Sequence, residues 1–201
     1  MPKALIICSL LLMACLPAKK RLWFVGCIVY ENEYRTLAGE TLYFAVKPKN
    51  WLYVRGANLK LYDRNKKLQQ LYVGRKNEFY TFEKGKAVLL ADTGQHLASA
   101  SVKYLPTTTI ILGYPCQTLQ LVKGSVSTLV YYAAALRVKA ADFSHCPAPG
   151  WYALLQATNG ALPLRTVSVD AENDVTATTE AISVQTMALA ANEFTATAPM
   201  R

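Results

Sequence analysis

An all-β fold, built as a curved antiparallel meander with little helix, is what this sequence predicts, and three observations predict it. Short runs rich in Val, Ile, Tyr, Phe and Trp recur along the chain, and such residues pack well on a pleated surface. Turn-forming clusters separate the runs at intervals of roughly ten residues, as a succession of hairpins requires. Within the runs, apolar and polar residues alternate, the pattern of strands with one buried face. The length of 201 residues suits one domain, and a hydrophobic fraction of 52% is ample for a core.

The first strand is expected over Leu22 to Tyr34, with Trp23, Phe24, Val25, Ile28, Val29 and Tyr30 as its apolar content. Short strands follow at Leu42–Val46, Leu52–Arg55, Leu59–Tyr62, Leu68–Val73, Phe79–Phe82 and Ala87–Leu90. The next are Leu97–Tyr104, Thr108–Leu112, Gln117–Val122 and Thr128–Val138. Between them, Arg55-Gly56-Ala57-Asn58, Asp63-Arg64-Asn65-Lys66, Gly74-Arg75-Lys76-Asn77, Asp92-Thr93-Gly94 and Lys123-Gly124-Ser125 have turn chemistry. Asn159-Gly160 is the strongest hairpin signal, because both residues tolerate the positive φ of a type I′ turn.

From Leu162 to Asp170, Val167 and Val169 share one side while Thr166, Ser168 and Asp170 share the other. From Val175 to Gln185 the apolar phase slips, and a bulge near Glu180 would restore it. Met187–Asn192 has room for one helical turn. The stretch 133–150 reads differently: an alanine-rich run leads into Cys146-Pro147-Ala148-Pro149-Gly150, which forbids regular structure. It is expected to leave the sheet as a loop excursion, either a lid over the sheet or a surface loop.

The N-terminus reads as an export signal over residues 1–21, followed by one β-rich domain over 22–199. Lys3 precedes about eleven apolar residues, Ala4 to Ala14, the arrangement of a secretory signal. The run is shorter than the ~20 residues of a membrane-spanning helix, and Lys19-Lys20-Arg21 closes it with charge. Leu12-Met13-Ala14-Cys15 resembles a bacterial lipobox, which implies lipidation of Cys15; Met13 is larger than the usual residue there. Simple cleavage after Ala14 or near Ala18 is the competing reading. Either route leads to the periplasm or outer membrane of a Gram-negative envelope.

In an oxidising compartment a cysteine pair can form. Cys27, Cys116 and Cys146 remain beyond the signal, with Cys116–Cys146 the expected disulfide and Cys27 a small buried residue in its strand. No Cys-x-x-Cys occurs, and His96 and His145 lie far apart, so no metal or cofactor is expected. Glycine-rich phosphate loops are missing. Ser144-His145-Cys146 is the one crowded cluster, but neighbours in a Pro-rich loop seldom face one another, so no catalytic residue is assigned.

Charge is uneven. Residues 1–100 hold 16 Lys/Arg against 7 Asp/Glu, the whole +9 of the chain, while residues 101–201 hold 6 of each sign. That excess fits a solvated sheet surface that resists edge-to-edge association, and it also fits attraction to an anionic surface or an acidic envelope protein. Basic and aromatic residues interleave over 60–84 as in single-strand nucleic-acid binders, a partner discounted for an exported protein.

Several segments together resemble one bacterial group. Phe24-Val25-Gly26-Cys27-Ile28-Val29-Tyr30 resembles the opening strand of the GLPGLI and related envelope domains. Thr109-Ile110-Ile111-Leu112-Gly113-Tyr114-Pro115-Cys116 is similar to the group's central segment, and Tyr131-Tyr132 to its paired-tyrosine strand. Pro149-Gly150-Trp151-Tyr152-Ala153-Leu154 and Asn192-Glu193-Phe194 occupy the places of its later elements. The resemblance implies a LolA- or LolB-like open half-barrel with an apolar groove for a lipid or another apolar ligand, and a binding rather than an enzymatic role. No ligand residues transfer from it.

Overall fold

A computed structural model of the chain describes residues 23–42, 48–90 and 100–195. Eleven strands form one antiparallel sheet: β1 (Val25–Arg35), β2 (Lys49–Arg55), β3 (Asn58–Tyr62), β4 (Leu68–Val73), β5 (Glu78–Glu83), β6 (Lys86–Leu90), β7 (Ser101–Ile111), β8 (Tyr114–Lys123), β9 (Val126–Arg137), β10 (Ala161–Asp170) and β11 (Val175–Thr186). Consecutive strands are neighbours within β1–β6 and within β7–β11, and β1 pairs β11, so the order across the sheet is β6-β5-β4-β3-β2-β1-β11-β10-β9-β8-β7. The sheet stays open, with β6 and β7 as its edges, and the all-β half-barrel expected from the sequence is the fold observed.

The turns form where their residues predict. Asp63 Oδ1 accepts from the amides of Asn65 and Lys67, both at 2.9 Å, and fixes the β3–β4 turn. The bulge foreseen near Glu180 lies at Ile182: Val29 pairs Ser183 and Tyr30 pairs Ala181, leaving Ile182 without a partner on β1. The two strands read as Leu97–Tyr104 and Thr108–Leu112 are one strand over their described part. Its register slips between Leu105 and Thr108, around Pro106, which an edge strand tolerates because only one side needs donors. The expected strand at Leu42–Val46 and the Asp92-Thr93-Gly94 turn lie wholly or mostly outside the described residues, as do the signal segment and Cys15.

Two readings are corrected. The excursion does not begin at residue 133, where it overlaps the strand expected over Thr128–Val138: that strand forms as β9 and runs through Ala133–Arg137, with Ala133 paired to Cys116 on one side and Leu162 on the other. Ladders on both flanks outweigh the weak strand preference of alanine. The chain leaves the sheet only at Lys139, makes a 3-10 turn at Ala140–Phe143, and forms one helix, α1 (Trp151–Ala157). Asn159 and Gly160 do have positive φ, 52° and 79°, but they join α1 to β10 rather than strand to strand. The Gly160 amide donates to Leu155 O at 2.6 Å, and a Cβ at Gly160 would fall 2.0 Å from Val138 O, so only glycine fits.

Alternation along β1–β4 sends side chains to two covered faces. Ile28, Tyr30, Leu52, Val54, Leu59 and Tyr72 share a core with Phe143, Cys146 and Leu155 from the excursion. Cys27, Tyr53, Tyr62 and Leu71 share a second core with Leu189 and Phe194 from the tail after β11. Lys60 lies in that second layer at 1% exposure. Its ammonium donates to Glu193 O at 3.2 Å and stands 5.2, 5.6 and 5.3 Å from the ring centres of Tyr53, Tyr62 and Phe194.

Candidate ligand-binding site

Helix α1 has seven residues, too few to persist alone in water. Packing holds it against the sheet. Leu155 is fully buried and Trp151 packs beside it on the β1–β5 core, while Leu154 and Ala157 pack on a third cluster of Leu119, Val130, Tyr132 and Ala161. Residues three and four apart on a helix share a side, so this spacing lets one short helix straddle both halves of the sheet. Trp151 also stacks edge-on against Phe143, with ring centres 6.4 Å apart. Tyr104 of β7 donates to Ala157 O at 2.8 Å and ties the helix end to the far edge.

A cavity lies on each side of this strap, with Pro149 lining both. The one over β1–β4 and β10 has about 340 Å³ and is lined by Leu52, Leu59, Leu61, Trp151 and Leu154, with Asn50, Gln70 and Arg165 as polar members. The one over β7–β9 has about 660 Å³ and is lined by Val102, Leu121, Val126, Ala153 and Ala157. Both fall within the usual range of small-ligand sites, ~300–1,000 Å³.

Polar groups bordering the smaller cavity are largely spent on one another. Tyr30 donates its hydroxyl to Pro163 O at 2.7 Å, and burial pushes the phenol well above its ordinary range. Thr179 donates to Asn32 Oδ1 at 2.7 Å, and Asn32 Nδ2 to Pro48 O at 3.3 Å. Arg165 pairs with Glu180 at 2.5 Å and lies over the Tyr131 ring at 5.7 Å; the Glu180 hydrogen bond raises its already high pKa. Groups satisfied in this way add little to the polarity of the wall. Among the residues lining this cavity, two buried donors stay unmatched, Trp151 Nε1 and Arg165 Nε.

Cys27, Cys116 and Cys146 are all buried free thiols in this structure. Cys116 and Cys146 share one core cluster, yet the expected disulfide between them is not formed here. Burial pushes the thiols of Cys27 and Cys146 up to about 11 and raises that of Cys116. Ser144 and His145 line a separate polar pocket together with Asp142. No group of three or more His, Cys, Asp or Glu able to hold a metal occurs among the described residues. No helix among them is long and apolar enough to cross a membrane.

Sequence reasoning missed the strap itself. Trp151, Leu154 and Leu155 at positions i, i+3 and i+4 after Pro149-Gly150 are a helix-start signal, and it was legible.

No family model and no curated protein matches the chain. Among solved structures it is similar to PNGF-II in two crystal forms, with TM-scores of 0.52 and 0.53 at 18% identity. Those matches cover 85% and 84% of this chain but only 30% and 29% of the other. This chain therefore spans less than a third of the length of PNGF-II, and the likeness concerns the fold alone. A LolA superfamily protein from Nitrosomonas europaea superposes more loosely, with a TM-score of 0.42 at 11% identity, covering 86% of this chain and 90% of that one.

Proposed function

We propose that this chain is an exported envelope protein that binds a lipid acyl chain or a similar apolar ligand between its sheet and α1, without catalysing a reaction. The observation that carries the reading is the pair of cavities flanking α1, the larger with apolar side chains from both sheet and helix. An apolar ligand entering there removes its own surface and that of Leu121, Val126 and Ala157 from water. The envelope location rests on the signal-like residues 1–21, and anchoring at Cys15 on its lipobox-like setting.

Native mass spectrometry of the mature domain purified from envelope fractions tests the ligand reading. A discrete mass increment that organic extraction removes is expected. Bare protein in every preparation, with no uptake of added fatty acid, would sink it. Metabolic labelling with a radiolabelled fatty acid tests the anchor, and label should vanish in Cys15→Ser.

A second reading is docking of an acidic envelope partner through the basic first half. It is favoured by the exposed Arg64, Lys66, Lys67, Arg75 and Lys76 on the β3–β4 and β4–β5 turns. It predicts association that weakens with salt. Pull-downs unaffected by reversing those charges would exclude it.

A further inference from the structure

Three segments distant in sequence converge at one end of the sheet: the β2–β3 turn, the β4–β5 turn, and the excursion just after its 3-10 turn. Together with Ala141 and Asp142 of the 3-10 turn itself, they line an open polar pocket of about 450 Å³, separate from the two cavities beside α1. The two turns touch. A Cβ at Gly74 would lie 2.4 Å from Ala57 Cβ and 2.5 Å from Ala57 O, so the absence of a side chain there permits the approach. The Gly74 amide also donates to Asn58 Oδ1 at 3.1 Å, which locks the two turns together.

Apart from Asp142 and His145, the polar side chains lining this pocket have donors to offer. Arg55 and Arg75 both line it, and neither has a carboxylate partner among the described residues. Asn58 and Asn77 line it with their amide oxygens already engaged, by the Gly74 amide and by the Tyr72 hydroxyl at 3.4 Å. Their NH₂ ends are what remains to offer. The Ser144 hydroxyl adds another donor. Asp142 is the sole acid lining the pocket, and Lys139 answers it at 3.1 Å. Two arginines lining one pocket without a carboxylate partner favour an anion, and the forked donor geometry of a guanidinium matches phosphate oxygens.

We propose that this corner is an oxyanion site for a phosphate ester. The pocket's volume leaves room for an organic group beyond the phosphate itself. Neither Arg55 nor Arg75 lines either cavity beside α1, so the proposal stands or falls separately from the apolar-ligand reading.

The test uses the purified full chain in ¹⁵N-labelled form, titrated with inorganic phosphate against a sodium chloride series of equal ionic strength. Saturable shifts of the Gly74, Arg75, Asn77 and Ser144 amides are expected with phosphate only. Binding should weaken about tenfold in either Arg55→Gln or Arg75→Gln, the loss of one charge-assisted hydrogen-bonding group, and stay unchanged in Lys103→Gln on the exposed face of β7. Arg75 is an exposed turn residue, so that variant remains a test if Arg55→Gln folds poorly.

A parallel arm compares flotation with phosphatidylglycerol and with phosphatidylcholine vesicles. Arginine-dependent flotation with the anionic vesicles assigns the phosphate to a lipid headgroup, while response to soluble phosphate alone assigns it to a free ester. Shifts equal in chloride, or retained in the double variant, overturn the proposal.

Discussion

Ala153 is the position at which the binding reading is most exposed to refutation. Its side chain lines the larger cavity from the α1 side, opposite Leu121 and Val126 of the sheet. Ala153→Trp would project an indole into that space. An aromatic side chain of this kind covers ~150–250 Å² when buried, so a ligand there is denied contact over a comparable area. Taking ~150 Å² at ~25 cal/mol per Å² gives ~4 kcal/mol of lost apolar burial. The helix supplies one wall of two, so about half of that, ~2 kcal/mol, is the expected loss, or roughly 30-fold in the dissociation constant. The measurement is displacement of a fluorescent fatty-acid analogue, with thermal melts confirming that the variant folds. Ala135→Trp, at an exposed position of β9, serves as the control and should bind as wild type. An Ala153→Trp protein that melts normally and binds with unchanged affinity would refute the location of the site.

Three further outcomes are expected. Trp151→Phe keeps the ring contact with Phe143 but removes the unmatched Nε1 donor, whose burial costs ~1–3 kcal/mol; its melting temperature should equal or exceed that of wild type, while Trp151→Ala should lower stability by ~3–5 kcal/mol. Native protein at pH 8 should react slowly with alkylating agents, because burial holds the Cys27 and Cys146 thiols protonated, with pKa values near 11. Unfolding should release three reactive thiols if all stay reduced, and one if Cys116 and Cys146 pair in the envelope. Asp170 accepts from the Asn173 side chain at 2.6 Å and from the Glu172 and Asn173 amides, which hold its carboxyl below the ordinary range. Its contribution to the β10–β11 turn is therefore present above the unfolded-state pKa and is lost as pH falls through the lower folded value, so Asp170→Ala should flatten the acid limb of a stability–pH curve.

How much of this was legible varies with the range of the interaction. The alternation of Thr166, Val167, Ser168 and Val169 is a property of one strand, and it appears in β10 as read. The phase slip in β11 is also local, and its bulge lies within two residues of its expected place. The pairing of β1 with β11 joins residues some 150 positions apart, and no local pattern encodes it. Lys60 is the clearest illegible case. A lysine between Leu59 and Leu61 reads as a solvated position, yet it lies buried among Tyr53, Tyr62 and Phe194, the last brought in from more than 130 positions along the chain. The start of the excursion was misplaced because Ala133–Ala135 has no strong preference, so its flanking strands decide its structure.

The pairing of first and last strands has a consequence for where a ligand fits. Because β11 lies beside β1, the residues following it are delivered to the β1–β4 half, where Leu189 and Phe194 cover one face. The excursion after β9 covers the opposite face of the same half through Phe143, Cys146 and Leu155. The β1–β4 half is thus sealed on both sides, and the cavity left within it is the smaller of the two. Over β7–β9 the flank of α1 reaches the sheet through Leu154 and Ala157 and the Tyr104 hydrogen bond. There Val102 and Tyr104 remain 43% and 62% exposed. Apolar surface left uncovered on a strand that packs beside a roomy cavity is what an apolar ligand would bury, and this is why the larger cavity, rather than the better-enclosed one, is the place to look for it.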